Sequence, residues 1–249
     1  MRISNLYFFI LLCLAVACET DSASNAEATG KGGSVTRFAI SNGYLYLADQ
    51  SSINVFDIRN QAFQKINTIA IGFGLETIFA RGEYLYLGAT DAMYIYSIAE
   101  PTTPSFIFRY AHIVSCDPVV VQGNRAYVTL SSGSRCNRGT NALEIIDITN
   151  PYDPVLIENY PMQSPQGLGV DGNLLFLCEG EYGLKVFNIS NESSIQLVKK
   201  IDSMHAYDVI PDNGILLLTG DDGVFQYRYN QQAGDLQLLS KIPVNREGI

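Results

Sequence analysis

Three features of the sequence predict an all-β fold of five four-stranded antiparallel sheets. The first is composition: 47% of the 249 residues are hydrophobic, 11% are aromatic and only 16% are charged. Tyr and Phe supply every aromatic ring, and such residues pack well on a pleated surface. The second is a recurring apolar run: INVFDI (53–58), MYIYSI (93–98), LEIIDI (143–148), LKVFNI (184–189) and VFQYRY (224–229), with starts 40, 50, 41 and 40 residues apart. The third is a companion series: YLYLAD (44–49), YLYLG (84–88), AYVTL (126–130), LLFLC (174–178) and ILLLTG (215–220). Each follows a turn glycine, at Gly43, Gly82, Gly123, Gly172 or Gly214. A period of about 40–45 residues with four strands per unit marks a five-bladed β-propeller. One such unit cannot bury both of its faces, so the sheets must stack around an axis.

Each element can be justified in turn. The units run over about 35–71, 72–111, 112–162, 163–204 and 205–249. A short apolar run before the glycine turn is the first strand, and the second strand follows. Asn42-Gly43 and Asn213-Gly214 are dipeptides that two-residue hairpins favour. LEIIDI is the third strand of unit three, TNPYDP the turn and VLIENY the fourth strand. In that turn Asn and Asp side chains can fold back on the backbone, while Pro fixes φ and stops pairing. A looser run such as QKINTIAI closes the first unit in the same way.

Ahead of the repeats, 1–17 read as a signal peptide. Arg2 precedes an apolar run from Leu6 to Ala17, of signal-peptide length and too short to span a bilayer. The run ends in AVAC (15–18), which resembles a bacterial lipobox and implies diacylglycerol on Cys18. Cleavage of an ordinary secretory peptide near the same point is the alternative. Residues 18–33 are small, polar and acidic and read as a flexible tether with a mean reach of roughly 20 Å. The domain is expected to cover 34–249. Two or three acyl chains would hold such a protein on a membrane, since each buried CH₂ contributes about 0.8 kcal/mol.

The run LEIIDITNPYDPVLI (143–157) resembles the repeat of the LVIVD family, propeller-like proteins of secreted and surface bacterial chains. Units one, two and four keep FDIRN, YSIAEPTTP and FNISNESS, and unit five drifts to YRYNQQAGD. The resemblance implies an exported, lipid-anchored scaffold of the bacterial envelope, at the outer membrane and facing periplasm or surface. It implies no reaction.

Chemistry-bearing residues are few. Net charge is −9 with no basic cluster, which disfavours nucleic acid, whose phosphates need grouped Lys and Arg. Cys116 and Cys136 fall at one end of unit three and form a candidate disulfide in an oxidising compartment. Cys178 is expected buried and inert, and His112 and His205 are expected to be solvated loop residues. Asp221-Asp222-Gly223 and Glu179-Gly180-Glu181 read as turns. Counting back six residues from each turn glycine gives Arg37, Glu76, Asp117, Gln166 and Asp208, all polar. As strand starts beside the axis they are a candidate binding ring at one channel mouth, suited to a cation or a polyhydroxyl ligand. Units one and five have one residue fewer between glycine and second strand, and a one-residue slip reverses the face of a strand. No cofactor or metal site is expected.

The leading expectation is a non-enzymatic binding scaffold with a protein or glycan partner. The alternatives are a carbohydrate-active hydrolase using Glu76, Asp117 and Asp208, and an envelope assembly subunit. The absence of Trp, a common sugar-stacking residue, and of nucleophile or zinc motifs argues for the first.

Overall fold

A computed structural model describes residues 32–60, 63–72, 74–111, 118–132 and 140–244. It is all-β: five separate four-stranded antiparallel sheets, each built from consecutive strands, form a five-bladed propeller. Blade one holds β1 (Phe38–Ser41), β2 (Tyr44–Ala48), β3 (Ser52–Asp57) and β4 (Gln64–Ala70). In blade two are β5 (Leu75–Arg81), β6 (Tyr84–Ala89), β7 (Ala92–Ser97) and β8 (Ser105–Ala111). Blade three comprises β9 (Val119–Gln122), β10 (Arg125–Leu130), β11 (Ala142–Asp147) and β12 (Val155–Pro161). The fourth contains β13 (Leu168–Asp171), β14 (Leu174–Cys178), β15 (Leu184–Asn188) and β16 (Gln196–Ile201). The fifth contains β17 (Asp208–Asp212), β18 (Ile215–Gly220), β19 (Gly223–Tyr229) and β20 (Leu236–Pro243).

In blades one to four a side-chain acceptor at the end of the third strand makes the turn. Asp57, Asp147 and Asn188 accept the N–H groups of Arg59, Thr149 and Ser190 at 3.0, 2.8 and 2.9 Å, and Ser97 accepts that of Ala99 at 3.2 Å. A side-chain acceptor two residues before an N–H mimics a backbone turn. Blade five has Arg228 at this place, which accepts nothing, and Asn230 takes the N–H of Gln232 instead at 2.8 Å. A register shift then bends the pairing of third and fourth strands in all five blades, and bulges of this kind increase local twist.

The 3–4 turn of one blade also clasps the blade before it. The Tyr46 hydroxyl donates to Pro101 O at 3.1 Å and the Asn67 amide to Thr102 O at 2.8 Å. In the same way Tyr160 donates to Glu192 O at 2.7 Å, while Arg125 binds the Glu192 carboxylate at 2.6 Å. Gln231 of blade five reaches back to Asp171 at 2.8 Å.

Apolar packing follows the alternation of the second strands. Their third residues point to the next blade: Tyr46, Tyr86, Tyr127 and Phe176 are 0, 3, 2 and 0% exposed. Fourth residues point to the preceding blade, where Leu87, Val128, Leu177 and Leu218 are all 0% exposed. Four clusters result, one each between blades one and two, two and three, three and four, and four and five. Among the described residues no such cluster joins blade five to blade one. There Leu217 is 42% exposed and Leu47 38%.

Candidate functional site

The first strands of all five blades wall an axial cavity of about 290 Å³. Phe38, Ile78, Val120, Leu168, Val209 and Pro211 supply apolar surface. Among the described residues the one charged residue in the wall is Arg81, at the hairpin end beside Gly82 and Gln122. Gln122 is already committed, its amide donating to Gly172 O at 2.8 Å and accepting from Gly172 N at 2.9 Å.

At the other end of the cavity lie Gly32 and Thr36. Residues 32–36 form a strap across the starts of the first strands. Thr36 O accepts Ile78 N at 3.0 Å in blade two. The Ser34 hydroxyl donates to Asp208 Oδ1 at 3.0 Å in blade five and accepts Leu168 N at 2.7 Å in blade four. Asp208 also accepts the backbone N–H groups of Ser34, Val35 and Val209. A Cβ on Gly33 or Gly167 would collide with the Asp208 carboxylate, so glycine is what lets the three segments meet. Burial pushes the Asp208 carboxyl up to about 6, against the opposing pull of its four hydrogen bonds.

The polar residues singled out in the sequence are not equivalent to one another. Blades one and five turn through Asn42-Gly43 and Asn213-Gly214, with both residues at positive φ. Blades two to four place glycine first, at Gly82, Gly123 and Gly172. Counting from glycine therefore slips by one. Aligned on the strand pairs, Arg37 and Asp208 match Thr77, Pro118 and Gly167, while Glu76 and Gln166 match Thr36 and Tyr207. Arg37 is exposed, Glu76 sits at a bulge, Gln166 is half-buried and Asp208 lies beneath the strap. None of these four lines the cavity. Asp117, the Cys116–Cys136 pair, His112 and Cys18 lie outside the described residues.

Cys178 is a buried free thiol, pushed up by burial and then by Asp208. Two arrangements were not legible as more than turns. Glu179 is fully buried, accepts Gln163 N at 2.8 Å and pairs with Lys185 at 2.5 Å. His205 is not simply solvated: its Nδ1 lies 3.6 Å from Asp221, which also accepts the Tyr207 hydroxyl. Neither arrangement shows in a linear motif, because each joins residues from separate strands or turns.

Comparison with known proteins fits this geometry. The model of the LVIVD repeat matches residues 32–63, 115–161 and 164–203, the stretches of units one, three and four. No curated protein matches the sequence. Among solved structures, a protein of unknown function from Desulfotomaculum acetoxidans aligns with TM-score 0.71 at 11% identity, over 86% of this chain and 71% of that one. The periplasmic gluconolactonase of Pseudomonas aeruginosa aligns with TM-score 0.62 at 14% identity, over 81% and 67%. A Bacteroides fragilis protein provisionally named a 6-phosphogluconolactonase aligns with TM-score 0.66 at 15% identity, over 84% and 70%. The chain spans 59 to 71% of the length of the solved chains first matched, and likeness at such identity is one of fold.

These structures correct one expectation. The chain was expected not to be an enzyme because it carries no familiar motif and no Trp, yet propellers of similar fold are named for lactone hydrolysis. In a propeller, catalytic groups come from different blades and need no contiguous motif, so a missing motif carries little weight. The architecture and the matched repeats agree: this protein is a five-bladed β-propeller that carries LVIVD repeats in blades one, three and four.

Proposed function

We propose that this is an exported, lipid-anchored propeller of the bacterial envelope whose axial cavity binds a small ligand. One observation carries the binding reading. The side chains of the wall are mainly apolar and drawn from all five blades, with the strap at one end and, among the described residues, a single cation at the other. Concave, mainly apolar sites with few polar groups are the usual form of small-ligand pockets. The anchoring reading is supported by the short apolar run ending in AVAC and the polar tether after it. Replacing Cys18→Ser should abolish incorporation of labelled fatty acid and release the protein from membranes; continued labelling of the variant would overturn it. For the cavity, NMR shifts on titrating small amphiphiles should centre on Ile78, Val120, Leu168 and Val209. Shifts confined to the outer strands would place binding elsewhere.

A second reading, hydrolysis of a small ring ester, is favoured by the names of the similar propellers and by the His205–Asp221 pair. Asp221 stands 3.6 Å from Nδ1, so the carboxylate would have to close by a few tenths of an ångström to orient the imidazole, whose other nitrogen could then take a proton from water. Purified protein should then open δ-gluconolactone faster than buffer does, and His205→Gln should remove the difference. Equal rates with and without protein would exclude this substrate.

A further inference from the structure

We infer that the cavity takes a small amphiphile carrying one negative charge, its apolar body along the axis and its charged end at Arg81. This rests on the reading of the cavity as a ligand site and adds the chemistry of what it holds. Apart from Arg81, the polar side chains in the wall are in use. Thr36 Oγ1 donates to Gly33 O at 2.9 Å, and Gln122 is closed onto Gly172 through both amide atoms. Three inner-edge N–H groups are satisfied as well: Ile78 by Thr36 O, Leu168 by Ser34 Oγ and Gly167 by Tyr207 O. A polyhydroxyl ligand would bury hydroxyls against the side chains of Ile78, Val120 and Val209, which costs free energy wherever no backbone group meets them. An apolar body gains by covering those side chains.

The charge follows from Arg81. Among the described residues Arg59, Arg109 and Arg125 are each paired with a carboxylate at 2.6 Å, by Asp57, Asp91 and Glu192 respectively. Arg81 has no such ion pair among the described residues, and it stands in the cavity wall. Two acids end first strands in other blades. Asp171 is taken by the Tyr229 hydroxyl and the Gln231 amide, and neither it nor Asp212 belongs to the wall. A guanidinium is suited to a planar carboxylate, which it can meet with two parallel N–H bonds. In a protein of net charge −9, this local cation is what admits an anion.

The test uses the full-length Cys18→Ser chain, which avoids the detergent a lipidated protein needs, with octanoate, 1-octanol and octylammonium as probes in calorimetric titrations. Octanoate is expected to bind at least about tenfold more tightly than 1-octanol, a difference typical of one charge-assisted contact. Arg81→Gln should bring octanoate down to the 1-octanol level. Val170→Phe, which narrows the wall, should weaken both. Equal binding of octanoate and 1-octanol, or a preference for octylammonium, would overturn the inference while leaving the cavity a ligand site. Failure of all three probes to bind, or indifference of their binding to Val170→Phe, would overturn the cavity reading itself.

Discussion

Phe176 and Leu217 occupy the same place in neighbouring blades, the third residue of the second strand, and their surroundings differ. Phe176 is buried against blade five, edge-on to the Tyr229 ring at 4.9 Å between centroids. Leu217, facing the seam with blade one, is exposed for 42% of its surface. Its would-be partners fare no better, Leu47 being exposed and Leu45 half-buried. Four seams of this propeller are closed by hydrophobic clusters. The fifth is tied near the axis by Ser34 and Asp208, a polar contact between residues 174 positions apart. The comparison teaches that an identical apolar pattern in every repeat does not give every interface the same strength. What the repeat specifies is a sheet with two apolar faces, and what covers each face depends on its neighbour.

Substitutions at the two equivalent positions sharpen this contrast most. Phe176→Ala should cost about 3–5 kcal/mol, the usual range for an aromatic deleted from a packed core, measured as the loss of unfolding free energy in urea. Leu217→Ala should cost under about 1 kcal/mol, as at other partly exposed sites. Similar losses for both would mean that the fifth seam is packed like the rest.

The polar seam should also respond to pH where the apolar seams do not. Asp208 is held at about 6 against an ordinary 3.8, so the folded protein binds this proton more tightly than the unfolded chain does. Stability from this group is present in full below about pH 4 and is lost as pH rises through about 6, a change of roughly 3 kcal/mol. Asp208→Asn should flatten that part of the profile. If urea titrations of both proteins gave parallel profiles between pH 4 and 7, the buried carboxyl would not be the source.

Smaller effects are expected from the strap itself. Ser34→Ala leaves Leu168 N–H and one Asp208 oxygen short of a partner and should cost about 1–3 kcal/mol. Glu192→Gln, at the partly exposed clasp between blades three and four, should cost no more than about 1 kcal/mol, because the cluster beneath carries that interface. A larger loss there than at Ser34 would reverse the ranking of the two contacts.

Much of the fold was legible because the repeat states it five times. The third-strand runs fall on β3, β7, β11, β15 and β19, and Asp57, Asp147 and Asn188 make the turns that their chemistry suggests. The candidate site was less legible, for two physical reasons. Glycine takes the second place of the hairpin turn in blades one and five and the first place in the others, so a count from glycine joins unlike positions. The strap was invisible because its partners are distant in sequence. Gly33 reads as the last residue of a tether and Ser34 as the first of a domain, yet β1 starts only at Phe38, and both residues pack on Asp208. Arg81 and Gln122 look like ordinary hairpin residues until the five first strands are gathered around one axis.

Native-state hydrogen exchange tests most directly whether the strap, rather than packing, closes the fifth seam. Exchange would be followed residue by residue in the wild-type chain and in Ser34→Ala. The account predicts that the variant speeds exchange at Val35, Leu168 and the first residues of β1 and β17, while β6, β7, β10 and β11 keep their wild-type protection. Unchanged protection at β1 and β17, or an equal loss across all five blades, would contradict it.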